Sequence, residues 1–491
     1  MKLMELLSVL PEADVDRSTP DPDILRVRYD SRLVAPGDLF VAIRGETANG
    51  FDYVPQAISR GAAAVVSDRA APAGRTESVA WVRVDDPRRA LALLAARRAG
   101  NPAEKLVLAA VTGTNGKTTT AMLLEALLAQ RHGRSGFLGT VAYRTGRREI
   151  AATRTTPEAP DIQDLLAEMV ETGVPAAAIE VSSHALALDR VAGCRFDVVV
   201  FTNLTRDHLD FHGDMESYYQ AKQRLFGMRK TDAAAVVNLD DDSGRRLVAE
   251  IAPPIVTYSA SGNPEADVRA AASRCDLAGT SLEVERAEGS FRVSSTLLGR
   301  FNVENLLAAA AAGLALGVRP ERVAAALASV RRVPGRLEPV EAGQPYAILV
   351  DYAHTEDALE RLLLAVKELT EKKIVLVFGC GGDRDKGKRF PMGSIAGRMA
   401  DIAIATSDNP RSEDPEAILA EVEKGLIASG ATKYLKIADR REAIRAAVGL
   451  ANPGVVVIVA GKGHETTQVI GGREIPFDDR VVAAELARQG T

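Results

Sequence analysis

Cysteine is scarce: Cys194, Cys275 and Cys380 stand far apart, with no CxxC pair. That excludes a disulfide framework and a cysteine zinc site, and it fits a reducing compartment. Neither charge sign is in large excess; the formal net charge is −5. There is accordingly no global electrostatic case for nucleic acid or for an anionic membrane surface. Long hydrophobic runs are missing too. A run such as Val455 to Ala460 falls far short of a bilayer span. An acid at Glu5 interrupts the opening before a signal core can form. No repeat of solenoid length is present. These absences lead us to expect a cytoplasmic protein without membrane insertion. With 46% hydrophobic and 26% charged residues the composition is that of a globular chain, not a disordered one, and 491 residues suffice for three or four domains.

Three regions separate. Residues 1–98 are mixed, with strand-like runs at Leu39-Ile43 and Ala62-Val66, and Arg97-Arg98-Ala99-Gly100-Asn101-Pro102 marks a boundary. Residues 99–334 repeat an order of apolar strand, loop and helix. Leu106-Thr112, Ala176-Val181 and Val198-Leu204 read as strands, and Lys117-Gln130 as a helix. Val333-Pro334-Gly335-Arg336 marks the second boundary. Residues 335–491 resume the same order, with strands at Ala347-Val350, Ile374-Phe378, Ile402-Ala405 and Val455-Val459 and a helix at Asp357-Leu369. Such alternation predicts an α/β fold with mostly parallel sheets. The alternation across 255–298 predicts antiparallel strands.

The sharpest motif follows the strand at 106–112: Gly113-Thr114-Asn115-Gly116-Lys117-Thr118-Thr119. In a turn of this kind backbone N–H groups point inward and bind phosphate oxygens. Lys117 adds a point charge at the β/γ-phosphates and Thr118 a hydroxyl ligand for Mg²⁺. The first glycine of the usual GxxxxGK[ST] pattern is replaced by Val111.

Glu180 ends one predicted strand and His208 follows another. Ligands of doubly wound sheets gather at the carboxyl ends of strands, so a carboxylate, an imidazole and phosphate oxygens would suit Mg²⁺ there. The same two residues read equally as a loop carboxylate and a capping histidine. Lys222 lies on a predicted helix, where a lysine is ordinarily solvated. Asn302 and Asn305 share a helix face; paired amides can read a base edge, and capping by Asn302 is the simpler reading. Three polar loops follow C-terminal strands, at Gly379–Asp385, Ser407–Glu413 and Gly461–Glu465. Together they offer arginines for carboxylates and acids for ammonium groups, which suits a zwitterionic ligand.

In this order, together with Asp30-Ser31-Arg32, Thr155-Thr156-Pro157, Glu180-Val181-Ser182-Ser183-His184, Tyr218 to Lys222 and Asp351-Tyr352-Ala353-His354-Thr355, the motifs resemble the Mur ligase family along nearly the whole chain. The resemblance implies a three-domain architecture. An N-terminal UDP-substrate domain (1–98) precedes a P-loop ATPase-like central domain (99–334) and a Rossmann-like amino-acid domain (335–491). It implies an ATP-dependent ligase of peptidoglycan precursor synthesis, acting as a monomer. This enzyme would join meso-diaminopimelate to the D-glutamate γ-carboxylate of UDP-N-acetylmuramoyl-L-alanyl-D-glutamate through an acyl phosphate.

By the same resemblance Ser31, Thr155, Thr156, Ser182 and Arg190 contact the nucleotide-peptide substrate. Gly113 to Thr119, with Asn302, Asn305, Arg336 and Asp351, hold ATP. Thr118, Glu180 and His208 ligate Mg²⁺, and Lys222 carries a CO₂-derived carbamate that helps hold a second Mg²⁺. Lys117, Glu180, His208 and Lys222 form the catalytic set. Arg384, Asp408, Asn409, Pro410, Arg411, Gly461 and Glu465 form the diaminopimelate site. Arg411, in the Asp-Asn-Pro-Arg loop, is the expected partner of the carboxylate that lysine lacks. The alternatives are a lysine-adding ligase of the same family, a folylpolyglutamate-type ligase, and a non-catalytic nucleotide-gated binding protein.

Overall fold

The computed structural model describes residues 1–15, 20–45, 48–72 and 78–489. They gather into two compact units, one of Met1–Arg269, Arg286–Glu288 and Asn305–Ala326, the other of Ala270–Glu285, Gly289–Glu304 and Leu327–Thr491. No helix among the described residues is long and apolar enough to cross a membrane.

The first unit contains two sheets. In the smaller, Leu39–Val41 and Ala64–Ser67 lie parallel at the centre, with Ala80–Arg83 beside them. Their side chains pack two cores, one on each face. In the larger sheet six parallel strands run in the order Ile255–Ser259, Arg229–Asn238, Phe196–Phe201, Val107–Thr112, Ala176–Glu180, Gly136–Leu138. Ala142–Arg144 and Glu149–Ala151 extend it antiparallel. Val107–Thr112 and Ala176–Glu180 are covered on both faces, which is why they read as continuous apolar runs.

Register fixes where the chemistry emerges. Glu180 pairs with Val111 and Phe201 with Thr112, so three neighbouring strands finish level. The loops after them leave at one edge. The helix Lys117–His132 starts at Gly116, whose φ of 83° favours glycine, and stops at Gly133, also left-handed. It buries Leu123, Leu124, Leu127 and Leu128.

In the second unit the order is Glu338–Pro339, Ala347–Asp351, Val455–Ala460, Lys373–Cys380, Ile402–Ser407, Tyr434–Lys436. All but the first strand are parallel. Here too the predicted polar loops leave from the carboxyl ends. The expectation of antiparallel strands across 255–298 fails at two pairings. Ile255–Ser259 pairs parallel with Arg229–Asn238, because the helix Asp242–Glu250 between them is a crossover, and it also pairs parallel with Val268–Asp276. Val268–Asp276, Gly279–Arg286 and Gly289–Ser295 follow as neighbours joined by tight turns.

One buried ion pair ties the carboxyl ends of the second sheet. Arg440 and Asp479 are both fully enclosed and meet through two bonds of 2.7 and 2.6 Å. The same guanidinium donates to Ser407 O and to Ala460 O, at the ends of two strands. Removing the carboxylate leaves an uncompensated buried cation. Asp479→Ala should therefore cost ~3–5 kcal/mol in urea unfolding; a loss below ~1 kcal/mol would contradict this role.

Candidate active site

The turn 113–116 is held from below. Thr114 N donates to Asn203 O, Asn115 N to Asn203 Oδ1, and Thr202 Oγ1 to Asn115 O at 2.6 Å. A Cβ at Gly113 would stand 1.8 Å from Thr202 Oγ1, and one at Gly116 2.3 Å from Asn305 Oδ1. Glycine is therefore a steric requirement at both positions. Thr119 is buried in the first turn of the helix that follows. The Lys117 ammonium donates to Gly113 O at 3.1 Å and to Thr114 O at 2.9 Å, folding its charge over the loop.

Glu180 is fully buried behind that loop. Its carboxylate accepts from Thr118 Oγ1 at 2.9 Å, from Thr140 N at 2.8 Å and from Thr140 Oγ1 at 3.0 Å. Burial pushes its pKa up, against the pull of the Thr140 N–H, the Lys117 charge and the two hydroxyls. Thr118 and Glu180 are thus brought together as the motifs require. Among the described residues no three His, Cys, Asp or Glu side chains form a metal cage. A cation here would rest on a hydroxyl, a carboxylate and oxygens of its ligand, a donor set that suits Mg²⁺.

Lys222 overturns the expectation of a solvated side chain. It is 1% exposed, and its Nζ lies 2.7 Å from Gly113 O, the carbonyl that Lys117 also reaches. The Tyr218 ring packs 4.5 Å from the amine. Burial first, and then the Lys117 charge, hold its pKa well below the ordinary lysine range. His208 takes a left-handed backbone, with φ 53°, and its ring meets His184 edge-on at 4.7 Å. Burial lowers its pKa, against the pull of the Asp207 carboxylate 3.5 Å from Nε2.

A cavity of about 310 Å³ joins these groups to the residues expected to contact the nucleotide-peptide substrate. Lys117, His208, Tyr218 and Lys222 line it together with Thr155, Thr156, Ser182 and Arg190. Thr155 Oγ1 meets Thr140 Oγ1 at 3.0 Å, and Thr156 Oγ1 donates to Glu180 O. Ser182 caps the helix Ser183–Ala187, its Oγ accepting from Ala185 N. Arg190 is held between Thr156 O at 3.1 Å and the buried Glu158 at 2.9 Å. A larger cavity of about 560 Å³ lies beside Tyr29, Asp161, Asp164 and Glu168. Its lining includes no residue of the turn 113–116 and neither Lys117 nor Lys222. Ser31 lies apart from both linings, buried, with its hydroxyl on Gln56 Oε1 at 2.7 Å.

Of the residues expected on the adenosine side, Asn305 accepts from Thr120 Oγ1 in the first unit. Asn302, in the second, sits inside the helix Phe301–Ala315 rather than before it, and its amide donates to Leu298 O at 2.7 Å. Asp351 accepts from Leu337 N and Ala353 N, and the Arg336 guanidinium lies 5.3 Å over the Tyr352 ring.

The three C-terminal loops converge. Asn409 Nδ2 donates to Glu465 Oε2 at 2.9 Å, linking two of them. Arg411 Nη1 donates to Gly382 O at 2.7 Å, linking a third. Pro410 O stands so close to Gly382 that a Cβ there would meet it at 2.0 Å. Asp408 is buried, its Oδ1 has no hydrogen-bond partner, and its Oδ2 lies 3.7 Å from a Cβ built on Gly461. Burial pushes its pKa up despite nearby Arg440 and Lys462. Arg384 extends to the exposed side of the first loop. Burial would raise Glu465, but the Lys462 ammonium and the Asn409 amide hold it below the usual carboxylate range. The result is a site with an open acid and a fixed guanidinium.

Motif reading missed Thr140, Thr202, Glu158, Lys462, Arg440 and Asp479. Thr202 lay within a strand already assigned and Lys462 within a loop already marked; the others carried no local signal.

Three family descriptions match successive segments: "Mur ligase family, catalytic domain" over 23–99, "Mur ligase middle domain" over 111–313, and "Mur ligase, glutamate ligase domain" over 335–463. The chain is 47% identical to the UDP-N-acetylmuramoyl-L-alanyl-D-glutamate–2,6-diaminopimelate ligase of Geobacillus kaustophilus, over 100% of both chains. It is 48% identical to the ligase of that name from Streptomyces avermitilis, over 99% of this chain and 96% of that one. A solved structure of a ligase with this name superposes with a TM-score of 0.71 at 34% identity, covering 100% of this chain and 99% of the other. MurF from Acinetobacter baumannii, 20% identical with a TM-score of 0.65 over 99% and 98% of the two chains, shares the fold. The chain belongs to the Mur ligase family.

Proposed function

We propose that this chain is an ATP-dependent ligase that forms an amide between the D-glutamate γ-carboxylate of UDP-N-acetylmuramoyl-L-alanyl-D-glutamate and an amine of meso-diaminopimelate, as a step of cytoplasmic peptidoglycan precursor synthesis. The observation that carries the reading is full-length similarity, at 47% identity, to a ligase of that name. The matched segments also support a division at residues 1–98, 99–334 and 335–491.

A carboxylate is a poor acylating agent, so the reaction needs a leaving group. In the proposed sequence a γ-carboxylate oxygen attacks the γ-phosphorus of ATP, giving an acyl phosphate and ADP. The neutral amine then attacks the acyl carbon, and phosphate leaves with a proton lost from nitrogen. Thr114 N and Asn115 N are taken by Asn203, so the N–H groups that open the helix at Lys117 would meet the phosphates, and Lys117 would place its charge where the transferring group becomes more anionic. Thr156, Ser182 and Arg190 orient the acceptor. Thr118, Glu180 and His208 would hold Mg²⁺, which supplies charge neutralisation between phosphate oxygens.

Lys222 fits a carbamate. CO₂ adds only to an unprotonated amine, forming N–COO⁻ and releasing a proton. Two ammonium groups that both touch Gly113 O, at 3.1 and 2.7 Å, lie at most about 6 Å apart. They would repel by ~3 kcal/mol at an effective dielectric near 20. Burial weighs on Lys222, holding its pKa well below the ordinary lysine range, and a carbamate there would turn repulsion into attraction toward Lys117. Replacing Lys222 with Ala should lower turnover at least ~100-fold, and added short carboxylates should restore part of it. Unchanged activity of that variant in CO₂-depleted buffer would overturn the assignment.

Incubation with ATP, Mg²⁺ and the UDP-dipeptide should yield a diaminopimelate adduct by mass spectrometry and little lysine adduct. A lysine adduct alone would place the chain among lysine-adding ligases; ATP binding without either product would favour the nucleotide-switch reading. Arg411→Lys keeps the charge but loses the fork, and should raise the KM for diaminopimelate by ~10- to 100-fold. An unchanged KM would remove Arg411 from the specificity argument.

A further inference from the structure

The loop Gly461–Glu465 contains a cation that the proposed reaction does not use. Lys462 is entirely buried. Its Nζ donates to Glu465 Oε2 at 2.8 Å and to Asn409 Oδ1 at 3.3 Å. Asn409 Nδ2 donates to that same Glu465 oxygen at 2.9 Å. Asn409 Oδ1 also accepts from Val469 N at 3.0 Å, which fixes the rotation of its amide. Lysine, amide and carboxylate thus form a closed triangle across two strand-end loops.

The triangle has a direction. Both donors take Glu465 Oε2, and among the described residues none donates to Oε1. The carboxylate, one-third exposed, therefore presents one bare oxygen in a set orientation. Nearby, Asp408 keeps Oδ1 without a partner. A buried ammonium is costly unless paired, and Glu465 is the carboxylate that pairs with Lys462. Without Lys462, Glu465 would gain rotamers and lose the cation that favours its ionisation.

We propose that Lys462 is a positioning residue for the incoming amino acid: it turns Glu465 so that one carboxylate oxygen receives the substrate's ammonium group. The inference rests on the reading that places Glu465 in the amino-acid site. Lys462 touches no substrate in this account and acts through Glu465 and Asn409.

The test is steady-state kinetics of the full chain, with each of the three substrates varied in turn. Lys462→Met should raise the KM for diaminopimelate about tenfold while leaving the KM values for ATP and the UDP-dipeptide within about twofold. In a Glu465→Gln background the same substitution should add little, because the two residues act as one unit. A structural role alone would lower kcat or stability without this selective rise and would add independently to Glu465→Gln. Equal KM values for diaminopimelate in wild type and Lys462→Met, or full additivity, would overturn the proposal. Should Lys462→Met not fold, Glu465→Gln carries the test, since its site is partly exposed: it should show the same selective rise, and an unchanged KM would overturn the proposal. A wild-type chain that ligates no diaminopimelate would instead overturn the underlying reading, which the wild-type control reports separately.

Discussion

One backbone carbonyl organises the first unit. Gly113 O accepts from Lys117 and from Lys222, in a turn where a Cβ on residue 113 would stand 1.8 Å from Thr202 Oγ1. The strand Val107–Thr112 delivers it to the sheet edge, level with Glu180. Two amines that share an oxygen cannot both be charged without penalty. The cost falls on the more deeply buried one: burial, with the Lys117 charge beside it, holds the Lys222 pKa well below the ordinary lysine range. The Tyr218 hydroxyl, the Thr202 hydroxyl and the Asn203 amide contribute by keeping the loop from relaxing.

The second unit solves a different problem with the same architecture. Its parallel strands again finish together, but their loops carry fixed charge instead of backbone N–H groups. Arg440 with Asp479, and Lys462 with Glu465, pair cations and anions inside the protein. Each pair fixes a loop that carries a further acidic group, the buried Asp408 or the part-exposed carboxylate of Glu465. Buried ion pairs contribute little net stability but strong orientation. That trade suits a site that must accept a ligand with both charge signs.

Much of this was legible before any coordinates. The phosphate turn, its flanking strand and helix, the α/β order and the C-terminal polar loops all follow from local pattern, and the structure brings the loops together as the strand order requires. Lys222 was not legible by periodicity, because a helix shows which residues share a face but not that a polar loop will cover that face. Thr140 lies in a turn without a motif. Arg440 and Asp479 are 39 residues apart, and only the fold makes them partners. Asn302 illustrates the reverse: the simplest local reading was a cap, and the residue sits inside its helix, donating backward to Leu298 O. Local signals located the site's backbone; the pairs that tune its charges are long-range.

The central claim is that the acceptor carboxylate is phosphorylated before the amide forms. It is tested most directly by following oxygen. With ¹⁸O in the γ-carboxylate of the UDP-dipeptide, one labelled oxygen should appear in each phosphate released, because the oxygen that attacks phosphorus departs with it. Phosphate free of label, formed alongside the amide product, would contradict the account.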